Sequence, residues 1–419
     1  MVIKSMIMKK RRVVITGMGV ISPIGNDVNK FWNNLVNGVC GVTKIESFDS
    51  SKINVHLAGE VKDFDPKECG LSKIQQRKCD RFSQFAIAAS KQAMLMAGDI
   101  DMDPARLGVY IGSGIGGIHT FVKHTKDLIE NGPKWISPNF ISTMISNMAS
   151  GNVAIDNNAQ GPSLPIVTAC ATGTHSIGEA FHAIKDGYAD AIIAGGSEAA
   201  VTELAIAGFA NSKALSTYDD PAMGSIPFDK RRKGFVLAEG SGIVVLEEYE
   251  HAKSRGAEMY AEIVGYGNTC DAYHFTAPRP DGSCAARSMK QALNDSGFVP
   301  GKDLVHINAH GTGTPLNDTS ETAAIKLAMG EEEARKAIIC STKSMTGHML
   351  GAAGGVEVIA AALALKYGIV PPTIGLEEPD PDCDLDYTPN KARKANITIA
   401  LSSSLGFGGH NACVALRKI

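Results

Sequence analysis

The chain has 419 residues, 44% of them hydrophobic and 20% charged, with 41 basic against 44 acidic side chains. That is enough chain for a sizeable core, and it is too apolar and too balanced for a disordered tail or a polycation, so nucleic acid is a poor first partner. Nine cysteines, at 40, 69, 79, 170, 270, 284, 340, 383 and 413, form no CxxC pair; their odd number excludes a complete intrachain disulfide framework and points to a reducing compartment.

The opening MVIKSMIMKKRRVVITG carries an apolar piece too short for a signal h-region, interrupted at Lys4, with no small-residue cleavage site after it. It reads as an untranslocated extension with Met8 as a start; a short organelle-targeting segment is the other reading. Short β-branched runs then recur at 12–16, 107–111, 191–194, 243–246, 261–264, 305–308, 337–340 and 397–401, the pattern of buried strands. After the first run, Gly17-Met-Gly19-Val-Ile-Ser22 invites a dinucleotide-binding reading. Ser22-Pro23 stands where a third glycine is needed, and no acidic residue closes a second strand about 20 residues on, so a tight strand-to-loop turn is expected.

Helical stretches lie between the runs. Residues 78–97 place Phe82, Phe85, Ala86, Ala89, Ala93 and Ala97 at three- and four-residue steps, and 285–293 stops at Asp295-Ser296-Gly297. The alternation predicts an α/β chain with largely parallel sheets. The ending NITIALSSSLGFGGHNACVALRK instead predicts an antiparallel pair joined by a Gly-rich turn, with Phe407 at its tip. No stretch approaches the roughly 18 uninterrupted apolar residues of a membrane span. The 44 glycines exceed the usual share and fall in short clusters, where the backbone must bend tightly. A faint repeat is present: Cys170-Ala-Thr-Gly173 opens a helix ending near Gly187, and Ser344-Met-Thr-Gly347 opens one ending at Gly368. The natural seam falls at 254–257.

Cys170 follows an apolar run and begins a helix, where unpaired N–H groups and the helix dipole favour thiolate and where backbone donors stand ready for an oxyanion. A small packed cysteine is the equal alternative at this point, and packing is the expected role of the other eight. His310 follows the strand run ending at Asn308 and opens a Gly- and Thr-rich loop to Asp318; His348 closes Lys343-Ser-Met-Thr-Gly-His348 just before the second helix. Histidines after strand ends sit where α/β active sites form. His306 shares a strand face with His310, yet no HExxH or cysteine cluster accompanies them, so His306 is expected to be a packed or hydrogen-bonded strand residue and no metal site is expected.

Taken together, VVITGMGVISPIGN, IGSGIGG at 111–117, TACATGTHSIGEA at 168–180, PFDKRRKGFVLAEGSG at 227–242, NAHGTGTPLND at 308–318, KSMTGHMLGAAGG at 343–355 and LGFGGHNA at 405–412 resemble the β-ketoacyl-[acyl-carrier-protein] synthases of the thiolase-like superfamily, end to end and in order. Gly173 after Cys-Ala-Thr and the GTGTPLND form are closer to synthase II than to synthase I. The resemblance implies a five-layered α-β-α-β-α fold of two similar halves, 1–257 with the nucleophilic cysteine and 258–419 with two catalytic histidines. It implies decarboxylative Claisen condensation of an acyl group held on Cys170 with malonyl-carrier, with His310 and His348 catalytic, Lys343 supporting and an oxyanion hole from the N–H groups of Cys170 and Phe407.

The same resemblance makes Thr312 and Thr314 partners of the phosphopantetheine amides, Phe407 a gating aromatic, and Ile115, Phe140 and Phe209 acyl-tunnel residues. Arg77, Lys78, Lys134 and Lys213 match carrier-docking positions, and Glu357 a structural position near a monovalent cation that some relatives bind. No cofactor is required beyond the phosphopantetheine arriving on the acyl carrier protein; a cytoplasmic homodimer without a membrane span is implied. Arg231, Lys233 and Ala238 depart from the usual pattern and put surface charge and local packing in question. A thiolase would carry a second cysteine where Phe407-Gly-Gly-His410 stands, and synthase III an asparagine at His348. A synthase I-like or polyketide-type condensing enzyme is the nearer alternative.

Overall fold

The computed structural model describes residues 11–419; the readings of the first ten, Met8 as a start among them, lie outside the described residues. Nine strands form one continuous ladder: β1 (Val13–Ile21), β2 (Leu107–Gly112), β3 (Ala191–Glu198), β4 (Gly240–Glu248), β5 (Ala261–Cys270), β6 (Val305–Asn308), β7 (Ile338–Cys340), β8 (Ile399–Gly406) and β9 (His410–Arg417). Their order is β2-β3-β4-β1-β5-β9-β8-β6-β7. The two halves meet where β1 and β5 pair antiparallel, Val13 with Ile263 to Ile15 with Ala261. Outward from that contact both sides begin alike, with the first, the last and the penultimate strand of the half, and then continue with β2 on one side and with β6 and β7 on the other.

Period-two alternation sorts each strand between two cores. In the first half Ile192, Ala194, Val244 and Leu246 face a central core, while Ile193, Ile243 and Val245 face the helix α1 (Arg81–Ala97). In the second half Ala400, Val414 and Leu416 face the centre, while Leu401, Cys413 and Ala415 face α3 (Ser283–Asp295) and α4 (Pro315–Met329). The central core is filled by α2 (Thr172–Lys185) and α5 (Ala353–Tyr367), which gives the five layers α-β-α-β-α.

The sheets are mixed, not largely parallel. Only β2–β3, β8–β6 and β6–β7 run parallel, because the last strand of each half returns between the first and the penultimate one and reverses the local direction. The hairpin β8–β9 with Phe407 in its turn is as expected. Its counterpart β3–β4 is joined through residues 199–239, too far apart for a hairpin signal.

The expected turn at Gly17–Gly19 is instead strand: β1 runs on to Ile21, and the turn comes at Ser22, which exchanges backbone bonds with Gly25. The glycines are there for approach. A Cβ on Gly17 would lie 2.0 Å from the carbonyl oxygen of Ala93, and one on Gly19 1.9 Å from that of Ala89. The second half repeats the device with Gly265 against Ala292 at 2.2 Å and Gly267 against Ser288 at 1.8 Å. Each pair of strand glycines two apart faces helix carbonyls four apart, so α1 and α3 lie almost on the sheet.

The helical stretch 78–97 divides at Cys79-Asp80, where Asp80 caps α1 by accepting from the Phe82 N–H. Residues Leu350–Tyr367 are apolar and long enough for a span, with a mean hydropathy of 1.4, beyond what the sequence suggested; 89% of the stretch is buried between the sheets.

Gly19→Ala is expected to destabilise the chain by about 3 kcal/mol, the upper range for overpacking a rigid core. Gly208→Ala, in the helix Glu203–Asn211 with nothing within 4 Å of the added carbon, should stabilise it by roughly 0.5–1 kcal/mol. Urea denaturation of the two variants checks both signs.

Candidate active site

Cys170 sits in the 3-10 turn Ala169–Ala171 that runs into α2, and Ala169 before it is held at φ +50°. The turn is fastened from both sides. The Thr168 N–H donates to Thr172 Oγ1 at 2.9 Å, and Thr168 Oγ1 bonds His175 Nδ1 at 2.8 Å, with His175 Nε2 on Asn268 Oδ1 at 3.1 Å. The hairpin tip reaches the same turn because Gly406 has no side chain: a Cβ there would be 2.6 Å from the Thr168 carbonyl and 3.3 Å from the Cys170 nitrogen. That approach brings the Phe407 N–H, with the N–H of Cys170 itself, onto the sulfur.

His310 lies two residues past β6 on a loop with Gly311 at φ +38° and Gly313 at φ +78°. Glu321 of α4 holds this loop, accepting from the N–H groups of His310 at 2.7 Å and Gly311 at 2.8 Å. His348 is gripped by backbone: its N–H donates to Val236 O at 2.7 Å and its carbonyl accepts from Ala238 at 2.9 Å. The two imidazoles stand perpendicular with centroids 5.3 Å apart. His310 Nδ1 and both nitrogens of His348 are buried without a hydrogen-bond partner among the described residues. A buried polar atom in that state needs a partner, which a water, an ion or a substrate can supply.

Cys170, His310, His348 and Phe407 line one cavity of about 410 Å³ together with Ile115, Phe209, Thr312, Thr314 and Lys213. The Thr312 and Thr314 hydroxyls are 3.0 Å apart on its wall. Phe407 and Phe209 face each other at 6.3 Å between centroids. Lys343 does not reach the wall. It is fully buried beneath the histidines, with Nζ donating to Glu357 Oε1. Phe140 also lies off the wall, half-buried against His124, in a short helix, Phe140–Met144, that buries none of its residues. Of the four docking candidates only Lys213 is at the mouth; Arg77 and Lys78 end the helix Lys73–Lys78 and Lys134 lies in the turn Pro133–Trp135. None of the four makes an ion pair among the described residues.

Burial governs the electrostatics. It pushes the Cys170 thiol up to about 12, against the acidifying pull of Lys343 and of the Phe407 and Cys170 N–H groups. The lowered value expected from helix entry alone is thus overturned: with 8% of the residue exposed, burial outweighs the dipole. The same desolvation, aided by Lys343, holds His310 and His348 well below the usual imidazole range, so both are neutral. Glu321 and Glu357 are raised to about 7 by burial, Lys343 acting in the opposite sense on each.

His306 bonds the Ile338 carbonyl at 2.8 Å, as a strand histidine should. Cys40 and Cys270 are exposed, so packing does not account for them; all nine thiols are unpaired. Arg231 closes onto Asp229 and Glu377, Lys233 lies over the Tyr218 ring at 4.3 Å, and Ala238 is packed against Gly59. The three departures are therefore absorbed locally. Behind the pocket, Asn308 Oδ1, Glu357 Oε2 and Ser402 Oγ are buried without a donor among the described residues, and Asn308 and Ser402 are register partners. A set of oxygens only, one of them a carboxylate, has the chemistry for a hard cation. Glu321, His175 and Asn268 were not legible as site residues, since each reaches the site through a fold contact with no spacing signal of its own.

Residues 10–252 match the family described as "Beta-ketoacyl synthase, N-terminal domain", and residues 260–377 the corresponding C-terminal domain. A 3-oxoacyl-[acyl-carrier-protein] synthase 2 of Staphylococcus aureus (strain COL) is 52% identical over 412 residues, covering 98% of this chain and 99% of that one. The protein of the same description from Synechocystis is 50% identical over 416 residues, with 98% and 99% covered. Among solved structures, a β-ketoacyl synthase from Burkholderia phymatum superposes with a TM-score of 0.90 at 32% identity, covering 98% and 100%. A type II polyketide ketosynthase in complex with its acyl-carrier protein superposes with 0.89 at 37% identity and the same coverage.

Proposed function

The chain belongs to the β-ketoacyl synthase family, and from that premise we propose that Cys170 carries the acyl group while His310 and His348 drive decarboxylation. The enzyme is an acyltransferase of fatty-acid elongation, joining an acyl group to malonyl-carrier to give 3-oxoacyl-carrier, CO₂ and free carrier. Supporting the residue roles above all is the convergence of one thiol and two neutral, unpartnered imidazoles on a single cavity.

The Cys170 sulfur attacks the acyl-carrier thioester. The tetrahedral oxyanion rests on the N–H groups of Cys170 and Phe407, and the carrier sulfur leaves with the proton that the thiol loses. Malonyl-carrier then occupies the Thr312–Thr314 side. Its bond to the carboxylate breaks, CO₂ departs and the electron pair forms an enolate. An imidazole held neutral donates a hydrogen bond to that oxygen without giving up its proton. The enolate carbon attacks the acyl-Cys170 carbonyl, and the sulfur is released. Lys343 is a buried cation paired with Glu357; its field favours thiolate and keeps both imidazoles neutral. Phe407, on a turn with Gly408 at φ +87° and Gly409 at φ +80°, is the gate.

The halves 1–257 and 258–419 carry the nucleophile and the histidines respectively. Unpaired Arg77, Lys78, Lys134 and Lys213 offer positive charge to an acidic carrier. Asn308, Glu357 and Ser402 would hold a monovalent cation of structural use only, and a rise in melting temperature when potassium or sodium replaces tetramethylammonium checks it. Nine unpaired thiols fit a cytoplasmic setting.

A second copy of the chain covers an open apolar edge. Residues 163–167 pair with β2 only around Val109, leaving their other edge free, and Leu164, Val167, Ile141, Ile145 and Ile155 are exposed beside them, Ile155 by 80%. Sedimentation should give twice the mass of one chain, and Ile155→Asp should shift it toward one.

Cys170→Ala is expected to abolish condensation, and undiminished product from that variant would sink the assignment. His348→Ala should still form acyl-Cys170, seen by intact mass, and lose condensation; absence of the acyl-enzyme would overturn the division of roles. In the same assay, graded acyl lengths read the preferred chain, and Lys213→Glu should raise KM for the carrier several-fold with kcat kept.

A further inference from the structure

Glu198 ends β3 fully buried, near enough for its charge to act on the Cys170 thiol, and no step of the reaction uses it. Its carboxylate accepts from Ser113 Oγ at 2.8 Å and the Ile115 N–H at 3.2 Å on Oε1, and from the N–H groups of Gly114 at 2.8 Å and Gly351 at 3.1 Å on Oε2. Every donor is neutral, and no cation pairs with it among the described residues. The two glycines make room for it: a Cβ on Gly114 would meet Oε2 at 2.8 Å and one on Gly351 at 2.9 Å. Ser113 Oγ in turn accepts from the Gly116 N–H at 2.9 Å, which completes a tight turn around the carboxylate.

A buried carboxylate without a cation is costly, and here it also works against the nucleophile, since its charge disfavours thiolate at Cys170. Activation of the thiol is therefore not its use. What it joins is informative: Gly114 and Ile115 from the first half and Leu350, beside Gly351 at the entry of α5, from the second, all on the cavity wall. Leu350 is itself held at φ +46°, a conformation its surroundings must impose.

We propose that Glu198 is a positioning residue that clamps the 113–115 turn to the entry of α5 and so fixes Ile115 and Leu350 as the wall that selects acyl-chain length. The inference rests on the reading of Cys170 as the acyl carrier. An amide keeps an acceptor on one side only and puts an NH₂ donor on the other, so in Glu198→Gln at least one backbone N–H faces another donor and the turn must shift. Glu198→Asp keeps the charge but is one methylene too short to serve all four donors. Longer chains touch more of the wall and should feel the shift most, whereas decarboxylation of malonyl-carrier alone does not use it.

The test measures kcat and KM for acyl-carriers of graded length, with malonyl-carrier decarboxylation in the absence of an acyl donor as the internal control. For Glu198→Gln, kcat/KM for long relative to short chains should change about tenfold or more, with decarboxylation within about twofold of wild type, and Glu198→Asp should follow it. An equal loss at every length, no change, or an aspartate variant matching wild type would overturn the proposal. Should Glu198→Gln fail to fold, Ser113→Ala removes a single donor and must shift the length profile in the same direction by about threefold; an unchanged profile again overturns it. A wild-type chain that condenses no substrate would sink the reading of Cys170, an outcome separate from any change in the length profile.

Discussion

Backbone packed directly on backbone through glycine is the constraint on which this molecule depends. Two helices and the sheet of the first half meet in the centre with no side chain between them at the crossing. A Cβ on Gly173 would strike the Gly355 nitrogen at 2.7 Å, one on Gly196 the Gly351 carbonyl at 2.0 Å, and one on Gly242 the Val356 nitrogen at 2.2 Å. Gly173 follows the nucleophile by three residues and Gly351 follows His348 by three. The close approach of α2 and α5 is therefore also what brings the thiol of one half to the histidine of the other. Outside the centre, Gly17, Gly19, Gly265 and Gly267 do the same for the outer helices, and their matched spacing is the plainest trace of two similar halves.

Close packing has an electrostatic price, and the chemistry uses it. Burial holds the imidazoles neutral and pushes the thiol up. Lys343 opposes burial at the thiol alone, since at the two imidazoles its charge adds to the effect of burial, and Glu357 accepts its hydrogen bond. Arg232 and Asp318 repeat the arrangement nearby, with Asp318 also accepting from the Phe228 N–H, which ties the floor of the His310 loop to the 227–232 segment.

Much of the architecture was legible. Eight apolar runs correspond to eight of the nine strands, and the terminal hairpin with Phe407 at its turn follows from its Gly-rich junction. The parallel-sheet expectation failed because strand order depends on where each last strand returns, and the 199–239 connection hides that from local pattern. The Gly17–Gly19 turn failed for a related reason: a glycine that lets a helix approach and one that lets a chain reverse look alike in sequence. Phe140, expected in the tunnel, lies off the cavity wall of this chain on a short helix with no buried residue, after a helix, Ile118–Asn131, that buries none either.

By itself the sequence determined which residues can do chemistry: a cysteine at a helix entry, histidines after strand ends, and a motif order that names the family. Those are local properties, carried by residue type and neighbours. Only the tertiary structure decided that Cys170, His310 and His348 share one cavity, that burial outweighs the helix dipole at the thiol, and that Glu198 accepts from donors of both halves. Desolvation and long-range hydrogen bonds are set by what the rest of the chain places around a group, and nothing in the local sequence carries that information.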